Sequence, residues 1–391
     1  MQSAARITDE WRNAPPRWGH PLHSLCSYMA MFPPSMPHVF IRWLTREGDV
    51  VYDPFSGRGT TVLEACALGR AGMGSDLNPM ANVLTSAKTN PPDWESLDKR
   101  MRSLKRQVRC LSTKDEPEVI RAVFAPGTLG QLLWLRSTLD RTSAEDAFIL
   151  AALMGILHLN ADVRGVAKGL SVAMPNTFAM APGYVLKYIR DHELVAPEVE
   201  VLEMLMSRLD RYRGHLTLPG RGTAWAQDAS VPGYMESRNS KAKLVFSSPP
   251  YLHVMKYGKF NWIRLWLLGE APREVDEVLF STGSLTKYLR FMSVVLDRLA
   301  SVVTEDGHIC LVIGDVTQGA RTVRLAERVA ESCVPANMEI RQIIVDRLPG
   351  DRKVSRIWGE TRGKATKTDR ILVLSAAGAG ALPSVPTFQW N

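Results

Sequence analysis

Short apolar runs that end in a polar residue recur in the first and last parts of the chain. Two such runs end at Asp53 and Asp76. Five more predict strands near 222–227, 243–248, 308–315, 337–348 and 369–376. Apolar residues spaced three and four apart predict helices at 36–45, 261–268 and 285–303. Strands alternating with helices in this way predict an α/β domain.

The stretch between these two parts is mainly helical in its pattern. Residues 129–139 and 144–159 have helical apolar spacing, and Ser143 is placed to cap the second helix. An irregular loop, 166–178, follows. We therefore divide the chain into 1–88 (N-terminal segment and first half of the α/β domain), 89–220 (helical insertion) and 221–391 (second half).

Composition adds three limits. The net charge of +8 suits a polyanionic partner. The five cysteines are scattered and form no CxxC pair, so we expect free thiols in a reducing cytoplasm and no bound metal. The longest apolar run, 147–157, is too short to cross a membrane, and the N-terminus shows no signal peptide. We expect a cytoplasmic protein with no membrane partner.

A glycine turn follows the first predicted strand. The sequence from Asp53 to Thr60 is DPFSGRGT, and a helical pattern begins at Thr60. Gly57 and Gly59 have no Cβ, so the backbone there can approach a ligand closely. A strand, glycine turn and helix in this order are typical of nucleoside cofactor sites. The absence of a GKT or GKS sequence argues against a phosphate-binding P-loop.

Acidic residues end two of the later strands. Asp76 lies about twenty residues beyond the glycine turn, where a carboxylate accepts hydrogen bonds from ribose hydroxyls. Asp228 ends the third strand. A helix N-cap is the alternative role for either residue.

The tetrapeptide Ser248-Pro249-Pro250-Tyr251 follows the fourth predicted strand. Its two prolines fix φ and remove two backbone donors. The Ser248 hydroxyl and the Pro249 carbonyl can then accept both hydrogens of an exocyclic amine, while Tyr251 stacks on the base. The alternative is an ordinary proline turn after a strand.

The glycine turn and the Ser-Pro-Pro-Tyr tetrapeptide together resemble the motifs of DNA amino-methyltransferases, which methylate cytosine N4 or adenine N6. The resemblance implies a Rossmann-like fold with a mostly parallel seven-stranded sheet, an antiparallel last strand and a helical insertion. It implies S-adenosylmethionine as the cofactor and Ser248, Pro249, Pro250 and Tyr251 as the catalytic residues. The cofactor-binding residues that it implies are Tyr28, Phe32, Pro33, Asp53, Pro54, Phe55, Ser56, Gly57, Gly59, Thr60, Thr61, Asp76, Leu77, Asn78, Asp228 and Ala229. Core packing is the alternative for Tyr28, Phe32 and Pro33.

Serine at the first tetrapeptide position resembles cytosine-N4 enzymes more than adenine-N6 enzymes. We therefore expect N4-methylcytosine as the product, with N6-methyladenine as the alternative. No cysteine follows a proline, which argues against methylation at cytosine C5. A protein-glutamine methyltransferase is a competitor, although such enzymes carry Asn where Ser248 stands. A nucleic-acid-binding module with a vestigial cofactor pocket is another.

Double-stranded DNA is the expected partner, together with a cognate restriction or defence system. The insertion precedes the third strand, whereas the family more often places target recognition after it, so the region that reads DNA stays open. The candidates are the 166–178 loop, the basic loop 349–367, and the segment with Lys256, Tyr257 and Lys259. A structural or solvated role is the alternative for each.

Overall fold

An eight-stranded sheet forms the centre of the computed structural model, which describes residues 4–29, 31–252, 256–318, 321–347 and 365–390. The strands are β1 (Val50–Asp53), β2 (Ala71–Asp76), β3 (Gly222–Ala226), β4 (Ala242–Ser247), β5 (Val303–Gln318), β6 (Arg321–Val323), β7 (Met338–Arg347) and β8 (Ala365–Ala376).

Helices lie on both sides of this sheet and in the insertion. They are α1 (Ala4–Arg12), α2 (Ser35–Leu44), α3 (Thr60–Ala67), α4 (Pro79–Thr89), α5 (Trp94–Gln107), α6 (Glu118–Val123), α7 (Pro126–Thr138), α8 (Ala144–Met154), α9 (Pro182–Asp191), α10 (Val201–Asp210), α11 (Tyr234–Ser237), α12 (Tyr257–Phe260), α13 (Trp262–Leu267), α14 (Pro272–Val278), α15 (Leu285–Val302) and α16 (Leu325–Ser332). Short 3₁₀ helices cover Pro21–Ser24 and Arg213–His215.

The strand order is β3-β2-β1-β4-β5-β8-β7, with β6 paired to β5. The first five strands of this order are parallel. Strand β8 runs antiparallel to both of its neighbours. This confirms the predicted Rossmann-like methyltransferase sheet of seven strands with an antiparallel last strand. The three-residue β6 is the addition that the sequence pattern did not predict.

The two faces of the sheet are covered by different apolar clusters. On β4, Leu244 and Phe246 belong to a cluster that includes residues of α1 and α2, whereas Val245 belongs to one formed with α15 and α16. This alternation follows from the two-residue period of a strand, in which successive side chains point to opposite faces. Burial on both faces explains why the central strands appear in the sequence as continuous apolar runs.

The insertion between β2 and β3 has its own apolar cluster. This cluster joins residues of α5, α7, α8 and α10 to α4 and α13 of the α/β part. Ser143 caps α8 as predicted, because its Oγ accepts the Asp146 N–H at 3.3 Å. The helix ends at Met154 instead of continuing to 159. The division of the chain at 88 and 220 stays a prediction. In the described ranges, every helix is too short or too polar to cross a bilayer.

Candidate active site

The glycine turn connects the end of β1 to the start of α3. Gly57 and Gly59 have φ values of 51° and 74°, in the left-handed region that favours glycine. A Cβ on Gly59 would lie 2.7 Å from Thr85 Oγ1, so α4 packs directly against the turn. The turn is closed by hydrogen bonds from Ser56 N to Ser75 O and from Gly59 N to Ser56 O. The missing Cβ of Gly59 thus makes room for α4, and both glycines supply the left-handed φ that the turn needs.

Asp76 lies beside this turn at the end of β2. Its Oδ2 accepts the Gly57 N–H and its Oδ1 accepts the Asn78 N–H, both at 2.9 Å. Burial raises the pKa of Asp76 to about 6, while these backbone donors act to lower it. Each carboxylate oxygen has a further lone pair for a donor such as a ribose hydroxyl. The turn and this carboxylate therefore fit the nucleoside part of S-adenosylmethionine.

Tyr28 covers the turn from the N-terminal segment. An added Cβ on Gly57 would be 3.5 Å from its ring, and its hydroxyl accepts a hydrogen bond from Asn78 Nδ2 at 2.8 Å. The ring of Tyr257 stacks on it, with centroids 5.9 Å apart. Burial raises the pKa of Tyr257 to about 12. Tyr257 thus lies against the candidate cofactor site, although its sequence context suggested only contact with a target strand.

The ends of β1 and β4 are joined by one buried hydrogen bond. Ser247 Oγ donates to Asp53 Oδ1 at 2.6 Å, and the Phe55 N–H donates to the same oxygen at 3.1 Å. Burial raises the pKa of Asp53 to about 6. Because Pro54 and Ser248 are the next residues along their strands, the bond places the start of the glycine turn beside the Ser-Pro-Pro-Tyr tetrapeptide.

Within the tetrapeptide, Ser248 and Tyr251 contact each other and β5. Ser248 Oγ donates to the Val312 carbonyl at 3.1 Å and lies 2.9 Å from the Tyr251 hydroxyl. The Tyr251 ring packs on Gly314, where an added Cβ would be 3.0 Å from it. Both side chains are half-buried. The Tyr251 hydroxyl is also 3.3 Å from the Val312 carbonyl, and the Ser248 oxygen has lone pairs that can accept a hydrogen from a substrate.

The other predicted cofactor residues lie at several places around the turn. Pro54, Ser56, Thr60, Thr61 and Ala229 are buried, while Phe55 and Leu77 are half-buried. Phe32 packs edge-on against Phe246, with ring centroids 5.6 Å apart, and Pro33 is exposed. Asp228 Oδ1 accepts the Ser230 N–H at 2.8 Å and so closes a turn at the end of β3. The cofactor roles of these residues stay predictions.

Two of the proposed DNA contacts can be placed in part. Lys256 and Lys259 are exposed beside Tyr257. Residues 349–364 of the basic loop, including Trp358, lie outside the described residues. In the described ranges, no cluster of three or more His, Cys, Asp or Glu residues could hold a metal ion.

The sequence patterns missed several residues that shape the site. Ser247 was not predicted as a site residue, because only its neighbour Ser248 belongs to the tetrapeptide. Lys88 is fully buried on α4, where its Nζ donates to the Arg58 carbonyl of the glycine turn at 2.8 Å. Burial lowers the pKa of Lys88 well below its usual range. A lysine in an amphipathic helix is normally solvated, so no sequence signal marks this one.

Comparison with known proteins connects the first part of the chain to DNA methylation. Residues 3–83 match the N6/N4 family model described as "DNA methylase". Type II methyltransferase M.MvaI of Kocuria varians is 32% identical over 90 residues, 22% of this chain and 20% of that protein. Type II methyltransferase M.MjaII of Methanocaldococcus jannaschii is 28% identical over 78 residues, 20% of this chain and 15% of that protein. The chain thus matches about a fifth or less of each relative's length.

Solved structures with a similar fold include methyltransferases. TrmN from Thermus thermophilus matches with a TM-score of 0.34 at 11% identity. The match covers 91% of this chain and 52% of the TrmN chain. The rRNA methyltransferase aviRa from Streptomyces viridochromogenes matches with a TM-score of 0.33 at 9% identity. The match covers 96% of this chain and 94% of the aviRa chain. The family match contains the glycine turn and Asp76, and Ser248 lies outside it. The family model and the two curated relatives support the DNA amino-methyltransferase family, with S-adenosylmethionine as the cofactor.

Proposed function

We propose that this protein is a DNA methyltransferase that transfers a methyl group from S-adenosylmethionine to cytosine N4 in a flipped-out base. The observation that carries the proposal is the parallel pairing of β1 with β4, which, with the Ser247–Asp53 hydrogen bond of 2.6 Å, brings the Ser-Pro-Pro-Tyr tetrapeptide beside the glycine turn. The site lies at the carboxyl ends of β1 and β4. The strand order reverses at this point, where open α/β sheets bind their ligands.

The cofactor half of the site uses the turn, Asp76 and the segment around Tyr28. S-adenosylmethionine supplies, when bound, a methyl group activated on a sulfonium. The Asp76 carboxylate accepts hydrogen bonds from the ribose hydroxyls, and Asp228 and Ala229 face the adenine. Tyr28 covers the methionine end above Gly57. Of Tyr28, Phe32 and Pro33, Tyr28 is the one whose contact with the turn supports this role.

The catalytic half of the site, the Ser-Pro-Pro-Tyr tetrapeptide, offers hydrogen-bond acceptors to the target amine. The Ser248 oxygen and the Pro249 carbonyl bind the two hydrogens of the target amine. These contacts localise its lone pair and stabilise the positive charge that develops as the N–C bond forms and the C–S bond breaks. One amine proton is then released to water. Pro250 keeps the turn rigid, and the Tyr251 ring stacks on the base. The base must leave the duplex, at a cost of about a few kcal/mol.

The choice of cytosine rests on Ser248. The Ser248 hydroxyl is short and neutral, and with the Pro249 carbonyl it offers compact acceptors for a pyrimidine amine. Adenine N6 is the second candidate, because the family model includes both products. The two curated relatives are named Type II methyltransferases, which favours DNA as the substrate and a cognate restriction enzyme as a functional partner.

The test is to express the protein in a host without DNA methylases and digest its DNA to nucleosides for mass spectrometry. We expect N4-methyl-2′-deoxycytidine in the wild-type culture and much less with Ser248→Ala. Modified-base sequencing of the same DNA gives the recognition sequence. N6-methyl-2′-deoxyadenosine alone would overturn the choice of base. Unmodified DNA, with labelled methyl groups recovered only in protein or RNA, would overturn DNA as the substrate.

A further inference from the structure

Glu64 is a buried carboxylate on α3, the helix that follows the glycine turn. Only 2% of the residue is exposed, and both of its carboxylate oxygens are bonded. Its Oε1 lies 2.6 Å from His23 Nε2, and its Oε2 lies 2.9 Å from His38 Nδ1. His38 is on α2, whereas His23 belongs to the short 3₁₀ helix Pro21–Ser24. One side chain of α3 therefore binds two parts of the N-terminal segment.

The charge of Glu64 sets the direction of these hydrogen bonds. Burial acts to raise the pKa of Glu64, but its contacts with His23 and His38 outweigh burial and lower that pKa below its usual value. An ionised carboxylate can only accept, so both imidazoles donate to it. His23 Nδ1 is buried and has no hydrogen-bond partner among the described residues. In that part of the chain, Glu64 is thus the one hydrogen-bond partner of the His23 ring.

The backbone of the same histidine is bound to the glycine turn. Arg58 is the residue between the two glycines of the turn, and its Nη1 donates to the His23 carbonyl at 2.9 Å. The Arg58 side chain also donates from Nε to Thr60 Oγ1 at 3.2 Å, and the Arg58 carbonyl accepts a hydrogen bond from the buried Lys88. Burial lowers the pKa of Arg58 to about 10, so the guanidinium stays charged at neutral pH. His23 is thus held by two bonds, one to α3 and one to the turn.

Residues 23–28 lead from this histidine to the candidate cofactor site, and we call them the cover segment. The segment ends at Tyr28, whose ring lies against Gly57 and whose hydroxyl accepts a hydrogen bond from Asn78. The cover segment is therefore attached at its start through His23 and at its end through Tyr28. Both attachments reach the glycine turn, the first by way of the arginine in that turn.

Stability alone does not account for a carboxylate at position 64. A buried ion is costly to remove from water, and apolar side chains of similar size often stabilise a core as well or better. A carboxylate with both oxygens bonded adds direction, because a hydrogen bond is strong only in a narrow range of angles. At Glu64 one of the two donors begins the cover segment, so the carboxylate fixes where that segment starts.

We propose that Glu64 is a positioning residue for S-adenosylmethionine: by holding His23 it keeps the cover segment closed on the glycine turn, with Tyr28 in place. The identity of the cofactor in this proposal rests on the proposed function. Without Glu64 the cover segment is in place in only a fraction of the molecules. The apparent dissociation constant of the cofactor then rises in inverse proportion to that fraction.

The test compares Glu64→Ala and His23→Leu, which remove the same bond from opposite ends, with Glu64→Gln. The glutamine keeps the shape, and its amide can accept from His23 and donate to the other tautomer of His38. His23→Leu keeps the His23 backbone and carries the test if Glu64→Ala does not fold. Asp146→Ala is the matched control. It removes a buried carboxylate of the insertion that accepts two hydrogen bonds from Arg100, at 2.7 and 2.8 Å.

Calorimetric titration with S-adenosylmethionine and hydrogen-exchange mass spectrometry are carried out on each folded variant. We expect Glu64→Ala and His23→Leu to bind about tenfold more weakly, as for a cover segment in place about a tenth of the time. Amides of residues 23–28 should exchange faster in both variants, while those of β5 keep wild-type protection. At saturating cofactor the transfer rate should equal that of wild type, because bound cofactor closes the segment. Glu64→Gln should bind within about threefold of wild type.

The outcomes separate this proposal from the proposed function. If the wild-type protein does not bind S-adenosylmethionine, the proposed function fails and the positioning role falls with it. If wild type binds, and Glu64→Ala and His23→Leu match it in affinity and in exchange of the cover segment, the positioning role alone is wrong. Asp146→Ala should lower the melting temperature without changing either quantity. An equal loss of affinity in that control would mean general destabilisation and would also overturn the proposal.

Discussion

Ser247 and Asp53 are 194 residues apart in sequence, yet their side chains share a buried hydrogen bond of 2.6 Å. Asp53 ends β1 before the glycine turn, and Ser247 ends β4 before the tetrapeptide. This bond adds to the parallel pairing of β1 with β4, which brings the candidate methyl donor site and the candidate acceptor site side by side. Methyl transfer depends on such positioning, because a displacement of about 1 Å can cost about 10²-fold in rate.

Replacing Ser247 with alanine should damage both stability and transfer. The substitution leaves the buried Asp53 with one donor fewer, which costs about 1–3 kcal/mol in the free energy of unfolding. We also expect a fall in kcat of about tenfold, because the β1–β4 pairing remains but the side-chain bond that orients the two strand ends is lost. Urea unfolding and single-turnover methylation measure the two effects. Ser237→Ala is the control, since that hydroxyl donates to Tyr234 O at the surface. A normal kcat in Ser247→Ala would contradict the positioning role.

Neutralising Asp53 should stabilise the protein at neutral pH. The pKa of Asp53 is raised from 3.8 to about 6 in the folded protein, so folding favours its protonated form. The stability linked to this group is fully present below pH 3.8 and is lost as the pH rises through about 6. Asp53→Asn removes this loss and keeps an acceptor for Ser247. We expect it to be more stable than wild type by about 1–3 kcal/mol at pH 8 and similar at pH 4. Urea titrations at both pH values check this, and a variant less stable at pH 8 would contradict it.

Cofactor affinity should depend on pH through Asp76. Ribose hydroxyls donate to the ionised carboxylate, and burial raises the pKa of this group to about 6. Binding therefore weakens as the pH falls below about 6, by up to about tenfold for each pH unit and titrating group. Calorimetric titration with S-adenosylmethionine from about one pH unit below the pKa of Asp76 to about two units above it measures the slope. Asp76→Asn should bind more weakly at pH 8 and lose its share of the slope. Unchanged affinity and slope in this variant would exclude the ribose contact.

The strands and the glycine turn could be predicted because they depend on local pattern. Asp53 and Asp76 end apolar runs that form strands, and Gly57 and Gly59 take the left-handed φ that their residue type allows. The links across the site could not be predicted in this way. The Ser247–Asp53 bond arises from parallel pairing of β1 and β4, and the Tyr28–Tyr257 stack joins two distant segments. Lys88 is buried, whereas lysine is usually exposed to solvent. Only the structure shows that its Nζ donates to the Arg58 carbonyl of the glycine turn.

Tyr28 should matter for cofactor binding through its ring more than through its hydroxyl. The ring covers Gly57 and stacks on Tyr257, whereas the hydroxyl accepts one hydrogen bond from Asn78. Tyr28→Ala is expected to weaken S-adenosylmethionine binding about tenfold or more, because it uncovers the turn and removes an aromatic contact worth about 0.5–1.5 kcal/mol beyond its buried area. Tyr28→Phe keeps the ring and should bind within about threefold of wild type. Equal affinities for the alanine variant and wild type would remove Tyr28 from the site.

Substitutions at Ser248 and Tyr251 should distinguish stabilisation of the transition state from packing of the tyrosine ring. Ser248→Ala removes an acceptor of the target amine and should lower the transfer rate by about 10²–10³. The affinity of this variant for S-adenosylmethionine should stay near wild type. Ser248 forms its hydrogen bonds with Tyr251 and with the Val312 carbonyl of β5, rather than with Asp76 or the glycine turn. Tyr251→Phe keeps the ring on Gly314 and deletes only the hydroxyl that lies 2.9 Å from Ser248 Oγ. We expect that variant to lose less than about tenfold in rate, since the acceptor on Ser248 remains. Single-turnover kinetics with calorimetric binding measure both quantities. If Ser248→Ala lost affinity for S-adenosylmethionine in proportion to its rate, Ser248 would belong to the cofactor half of the site, and its proposed contact with the target amine would be wrong.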